Sequence, residues 1–472
     1  MKKLITMTMS LAFVALGCST IRQARETQNR HESKGAMKLA PQPKVDFHGY
    51  SLERLVDFAL TNRPSIVSAR LAVEKARLEM KSIAADAPLL SDSPWTSPKL
   101  SLDGQYEEKS DGTTLSEGEF RTHGNPSAAL SLELLIWDFG RYDARVKAQV
   151  ERVLAAEENL AESGEEVFYD VASSYFTYLK NCALFEVAMT NENQYADQVR
   201  RAKGRANVGV AQQLDVLKAE LDLASAREET VAASNNVITA GAQLMNALGI
   251  DAERGSCEEA FGTPLTGLDT VSEAFLPTKS AVSESYAFAR TNSPSVRMAC
   301  AKLRAASRDV DEAIAKLYPE VKATASFSWT NPLWFFGWGV GAAQELFSGF
   351  SRVTDVDLAR TALDSAASDV DEVEQQLSLD LDLATAERDN SVKAYETAQA
   401  SVATGRRNLD MVTEKVLVGT ASRIDLSEAI SSHTTALGNR IKAFYNGQIA
   451  ESKLIQLTGR YPIYNEAKKE MK

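Results

Sequence analysis

Four histidines and four cysteines are all that the 472 residues hold of the side chains that most readily bind transition metals or act as nucleophiles. His31, His48, His123 and His433 are scattered, without the paired spacing of a zinc peptidase. Neither a phosphate-cradling glycine loop nor a G-x-S-x-G elbow occurs, and the ten methionines form no cluster for a soft metal. Cys182, Cys257 and Cys300 allow at most one intrachain bridge, which excludes a disulfide framework. Positive charge is in deficit: 52 Lys and Arg against 64 Asp and Glu give a net charge of −12, which argues against nucleic acid as a partner. After the first residues, no run is long and uniformly apolar enough for a membrane helix. Proline is missing from Ser127 to Thr263 and from Leu333 to Tyr461. These absences leave no visible enzyme, cofactor or metal site; the abundant carboxylates read as solvated helix surface.

The first residues read as a leader. Lys2 and Lys3 precede an apolar core, Leu4 to Gly17, of signal-peptide length. Ala15-Leu16-Gly17-Cys18 resembles a bacterial lipobox, with Ala15 departing from the usual Leu or Val. The expectation is a signal peptide over 1–17, a covalent lipid on Cys18 and a linker over 18–50. An ordinary cleaved signal with a chance cysteine is the alternative, and in either case the protein is exported.

The rest of the chain appears twice. "TNRPSIVSARLAVEKAR" from Thr61 is answered by "TNSPSVRMACAKLRAAS" from Thr291, "LLIWDFGR" from Leu134 by "QELFSGFS" from Gln344, and "NALG" from Asn246 by "QLTG" from Gln456. Val208-Gly209 and Asp215 in "NVGVAQQLDV" match Val418-Gly419 and Asp425 in "LVGTASRIDL", both at an offset of 210 (418 − 208; 425 − 215). A tandem duplication follows, with repeat 1 over 51–250, a linker over 251–280, repeat 2 over 281–460 and a tail over 461–472.

The proline-free stretches are rich in Ala, Glu, Leu, Asp and Lys and read as helices at 141–203 and 351–416, roughly 95 Å long at 63 residues. Val146, Val153, Leu160 and Val167, and likewise Val356, Leu363, Val370 and Leu377, recur every seven residues, the spacing of coiled-coil packing. Return helices are expected at 212–247 and 422–457, after each Val-Gly turn. Each is too short to cover its partner unless the helix at 65–86, or at 295–317, stacks end to end with it. Glycine suits the turns because it reaches positive φ without steric cost. The proline-containing parts alternate apolar and polar residues and read as strands within 99–136 and 320–346, one hairpin per repeat. The second hairpin is expected to turn through its aromatic segment, with the last strand at Gly337–Leu346. All five tryptophans (Trp95, Trp137, Trp329, Trp334 and Trp338) lie in or beside these hairpins, which suits a membrane interface; a small packed sheet with a tryptophan core is the alternative. Four strands cannot close a barrel and open edges cannot lie in lipid, so membrane-spanning hairpins require several chains.

In the order and double spacing of these motifs, over about Ser51 to Gly459, the sequence resembles the TolC family of outer-membrane efflux proteins, of the lipoprotein type. "LIWDFGR" departs from the commoner F-D-G-G form of that junction but keeps an aromatic residue, Asp and Gly. The resemblance implies a mainly α protein with a small β part. Its long coiled-coil-like helices form a trimeric periplasmic α-barrel, and four strands per chain join a shared outer-membrane β-barrel of about a dozen strands. It implies a passive exit duct in a Gram-negative outer membrane, lipid-anchored, serving a periplasmic membrane-fusion adaptor and an inner-membrane pump, with no cofactor. It implies adaptor docking at the tips carrying Val208, Gly209, Asp215, Val418, Gly419 and Asp425. It also implies a periplasmic gate at Asp410 and Glu414, one turn apart on one helical face; mixed surface charge is the alternative for that pair. An exported coiled-coil structural or adhesive protein without a pore is the alternative for the whole chain.

Overall fold

The computed structural model describes residues 22–29, 51–89, 99–110, 122–207, 213–250, 282–330, 333–344, 350–418 and 420–459. Cys18, Val208, Gly209 and Gly419 lie outside them. A short helix occupies 22–29, within a unit made of Met1–Gly49 and Ile250–Thr263. The other unit is made of Tyr50–Gly249 with Pro264–Lys472.

In that unit one order of elements occurs twice. The first set is α1 (Leu52–Asn62), α2 (Pro64–Ala84), β1 (Lys99–Ser110), β2 (Thr122–Trp137), α3 (Arg141–Asn207) and α4 (Gln213–Ala247). The second is α5 (Val282–Asn292), α6 (Pro294–Ala315), β3 (Glu320–Thr330), β4 (Leu333–Ala343), α7 (Ser351–Val418) and α8 (Arg423–Thr458). At 67 and 68 residues, α3 and α7 are each about 100 Å long.

Proline sets the break between the first two helices of each set. Pro64 and Pro294 occupy first-turn positions, where their fixed φ and missing N–H cost nothing. The residues before them, Arg63 and Ser293, are extended, as a following proline demands, and this ends α1 and α5. The helices ending at Ala247 and Thr458 close on those breaks. Gly249 and Gly459 both have positive φ. A methyl on Gly249 would sit 3.3 Å from Arg63 Cα, and one on Gly459 would sit 2.9 Å from the Asn292 carbonyl oxygen. Thus α4 meets the α1–α2 break and α8 meets the α5–α6 break, so each long helix is flanked by two short helices set end to end.

α3 packs on α2 and α4 on one side and on α6 and α8 on the other; α6 and α8 pack in turn on α7. The result is a curtain with α2 and α4 along one border and α7 along the other. The seven-residue stripes face inward: Val153, Val167, Val356 and Leu377 are buried, and Val146, Leu160, Leu363 and Val370 are half-buried. Both borders expose apolar side chains: Leu217, Leu221, Val231 and Ile238 on α4, and Val353, Leu358, Leu379 and Leu383 on α7. Among the described residues, no helix is long and apolar enough to cross a membrane.

The sheet has the order β1-β2-β3-β4, all antiparallel. β4 begins at Leu333, so Trp334, Phe335 and Phe336 belong to the strand and not to the expected turn. An aromatic run without alternation reads as a turn in sequence. Here it is β structure because Phe335 and Phe336 pair with Ser328 and Phe327.

Candidate functional site

Residues directly opposite each other across an antiparallel ladder share a face, so the register sorts the sheet into rows. One face carries Leu100–Leu132–Ala325–Trp338, Leu102–Leu130–Phe327–Phe336, Ala128–Trp329–Trp334, Leu134–Ala323–Val340 and Trp137–Val321–Ala342. Along these five rows it holds no polar side chain other than the indole N–H groups. The other face carries Lys99–Glu133–Thr324–Gly339, Ser101–Ser131–Ser326–Gly337, Asp103–Ala129–Ser328–Phe335 and Gln105–Ser127–Thr330–Leu333. Its bulky apolar exceptions are Phe335 and Leu333 beside the β3–β4 turn and Leu135 at the opposite end. Trp338 is 78 % exposed and Leu102 76 % exposed, so among the described residues nothing covers this part of the apolar face. Among the described residues, β1 and β4 each leave one edge unpaired.

At the base of the sheet the chain enters α3 through Asp138, Phe139 and Gly140. Phe139 has φ 54°, stacks on Tyr318 at 5.7 Å and meets Trp137 edge-on at 6.2 Å. Buried Asp138 caps the helix by accepting the Tyr142 amide at 2.6 Å. Phe350 takes the left-handed conformation that Gly140 takes 210 residues earlier, a strained choice for a bulky side chain.

At the far end of the helices, α3, α4 and α8 share a core of Tyr195, Val199, Ala202, Val216, Ala219, Leu223, Ala226, Leu426 and Ile430, with Leu409, Val412 and Val416 of α7 packed against it. Here the predicted tip residues separate into roles. Asp425 forms a capping box: Ser422 N donates to its carboxylate at 2.8 Å and its own N–H donates to Ser422 Oγ at 3.2 Å. Asp215 lies in the first turn of α4, where a carboxylate favours the positive helix end. Val418 ends α7 at 80 % exposure.

Asp410 and Glu414 are exposed on α7, and neither has an ion-pair partner among the described residues. Asp410 lies near His433 of α8. Burial, helped by Arg406, pushes His433 below its ordinary pKa, and Asp410 opposes that shift. Two polar links were not legible in sequence. Arg423 pairs with Asp222 at 2.9 Å, tying α8 to α4, and Tyr195 Oη donates to the Ser427 carbonyl at 3.4 Å, tying α3 to α8. Comparing the repeats could not find the first, because its partners stand 201 apart and have no counterparts at the 210 offset.

Midway along α3, burial pushes the Glu165 carboxyl up to about 8, against Arg297 and assisted by Glu162 and Glu158. Arg297 restrains it only partly, being held by Glu158 at 2.6 Å.

A two-faced open sheet above a curtain of roughly 100 Å helices is the architecture of one protein family in particular. The model of that family, described as outer membrane efflux protein, matches residues 55–250 and 286–460. The chain belongs to this outer membrane efflux protein family. It is similar to the outer membrane efflux protein BepC of Brucella suis, 23% identical over 353 residues that cover 72% of this chain and 73% of BepC. It is similar to TolC of Escherichia coli, 27% identical over 211 residues, 43% of this chain and 41% of TolC. Among solved structures it shares the fold of CusC, with a TM-score of 0.74, 18% identity and coverage of 89% and 95% of the two chains. It also shares that of the Neisseria gonorrhoeae MtrE channel in its open state, with a TM-score of 0.68, 18% identity and coverage of 90% and 93%. The protein is an outer-membrane efflux channel component, and a pore-free coiled coil has no use for its apolar sheet face.

Proposed function

We propose that this chain is one of three identical staves of a passive duct that carries solutes from a periplasmic adaptor and inner-membrane pump to the exterior. One observation carries the reading: a sheet with an apolar face over its five helix-proximal rows, and with two edges unpaired among the described residues, cannot be at rest in lipid alone. Head-to-tail joining of β4 to β1 of the next copy closes the sheet into a barrel with lipid outside and water within. The same rotation brings the exposed apolar border of α7 against the α2–α4 border of its neighbour. Cys18 carries the lipid anchor in this reading, the two Val-Gly tips receive the adaptor, and Asp410 and Glu414 ring the periplasmic mouth.

The test is reconstitution. Purified protein should require detergent, crosslink as a trimer and conduct ions in planar bilayers; a water-soluble, non-conducting monomer rules the reading out. Cys18→Ser should abolish fatty-acid labelling and still give trimers. An unlabelled wild type removes the anchor from the reading and leaves the duct intact.

A further inference from the structure

The polar face of the sheet is not uniform. In the three rows from Ser101 to Gln105 it carries Ser, Thr, Gly, Ala and Gln beside Phe335 and Leu333, with Asp103 the single charge in those rows. At the helix end the charges gather at one level. Lys99 Nζ lies 3.0 Å from Asp86, and Lys322 Nζ lies 3.0 Å from Glu133 and 3.1 Å from Glu320. Arg141, the first residue of α3, pairs with Glu320 as well. These six line an open recess of about 190 Å³.

We propose that Asp86, Lys99, Glu133, Arg141, Glu320 and Lys322 form a mixed-charge belt around the bore. There, charged and zwitterionic solutes exchange partners with the wall, and the belt sets the charge preference of the barrel half of the duct. The proposal rests on the duct reading, which turns this face inward. Three cations balance three anions, so the belt is neutral as a whole while offering strong local fields of both signs. A permeant carboxylate can compete with Glu133 for Lys322, and a permeant ammonium with Lys99 for Asp86, while the displaced side chain, open to water, is solvated. A purely bracing role explains the placement poorly. The side chains of these pairs keep between 30% and 67% of their accessibility, and ion pairs so open to water add little stability. Open to water, the same groups remain within reach of a passing ion.

The test reads reversal potential in a salt gradient across planar bilayers. Lys99→Gln with Lys322→Gln should raise the cation-to-anion permeability ratio about twofold or more, and Glu133→Gln with Glu320→Gln should lower it by a similar factor. Opposite displacements support the belt. Wild-type reversal in both variants, or a loss of conductance with unmoved reversal in both, overturns it in favour of bracing. Should either pair of substitutions prevent assembly, Lys99→Cys can be treated in the formed channel with anionic or cationic methanethiosulfonates, using wild type as the reagent control. The two reagents should shift reversal in opposite directions, and no difference between them overturns the belt. A wild-type channel that passes no current overturns the duct reading, and the belt with it.

Discussion

The Arg423 guanidinium, on the first residue of α8, lies 2.9 Å from the Asp222 carboxylate of α4, and Ser427 Oγ donates to the same oxygen at 3.4 Å. The pair is mostly buried and bridges the two helical hairpins just behind their tips. A charge-assisted hydrogen bond of this kind is worth about 1.5–3 kcal/mol, so Arg423→Ala or Asp222→Ala should loosen the resting mouth. Single-channel conductance or open probability should rise in each variant, and the double variant should resemble the singles because one interaction is lost in all three. Additive effects would show that the residues act separately.

Asp410→Ala combined with Glu414→Ala is expected to weaken cation selectivity and block by divalent or trivalent cations, since three copies would crowd six carboxylates at one mouth. If selectivity and block stay as in wild type, these are surface charges of α7.

The Val-Gly tips can be tested by bulk. Gly209→Trp and Gly419→Trp should leave trimers assembled while reducing adaptor crosslinking and efflux. Normal crosslinking and export by those trimers would mean that the glycines serve only the turn.

Glu165 makes stability depend on pH in a direction opposite to that of a paired carboxylate. Its folded pKa, pushed up to about 8, stands above the ordinary 4.5 of a glutamate, so the folded state holds the proton that the unfolded state releases. Below both values the group contributes nothing. Between them stability falls as pH rises, by at most about 1.4 kcal/mol per unit, and above about 8 the loss is complete. Glu165→Gln should therefore melt higher than wild type at pH 8 and close to it at pH 4.5. A pH-independent difference in Tm would refute the buried-proton account.

Gly459→Ala should be the more damaging of the two helix-end substitutions. Both glycines have positive φ, but the new methyl would meet the Asn292 carbonyl at 2.9 Å, against 3.3 Å to Arg63 Cα for Gly249→Ala. A loss of about 1–3 kcal/mol in stability is expected at Gly459 and less at Gly249. Denaturation of the detergent-solubilised protein gives the comparison, and equal losses would show that backbone strain outweighs the contact.

The helical part of the fold was legible because its signals are local. Proline at 64 and 294, its absence across α3, α4, α7 and α8, and the Val356-to-Leu377 stripe depend only on neighbours in sequence. The start of β4 was not legible, because Trp334, Phe335 and Phe336 take their conformation from pairing with β3. The sequence did not show why Gly249 and Gly459 recur; Gly249 meets a helix break at Arg63 and Gly459 one at Asn292, 186 and 167 residues earlier (249 − 63; 459 − 292). At the candidate site, the position of Asp425 at the start of a return helix was legible, and its capping box with Ser422 is the local form that takes. Asp222, Arg423 and the charged level around Lys322 escaped notice because mixed charges on helices and strand ends look like ordinary surface until folding sets them side by side.

The unpaired edges of β1 and β4 bear on how the protein comes to exist at all. A solitary chain has no comfortable medium: water meets an uncovered apolar face, and lipid meets bare backbone donors and acceptors. In the proposed trimer, folding of the sheet is coupled to association of chains, so yield rises with local chain concentration. The edges left waiting for a sister are also those most prone to pair wrongly in the interval. On that proposal, delivery of chains to a common assembly site bears directly on how much functional protein accumulates.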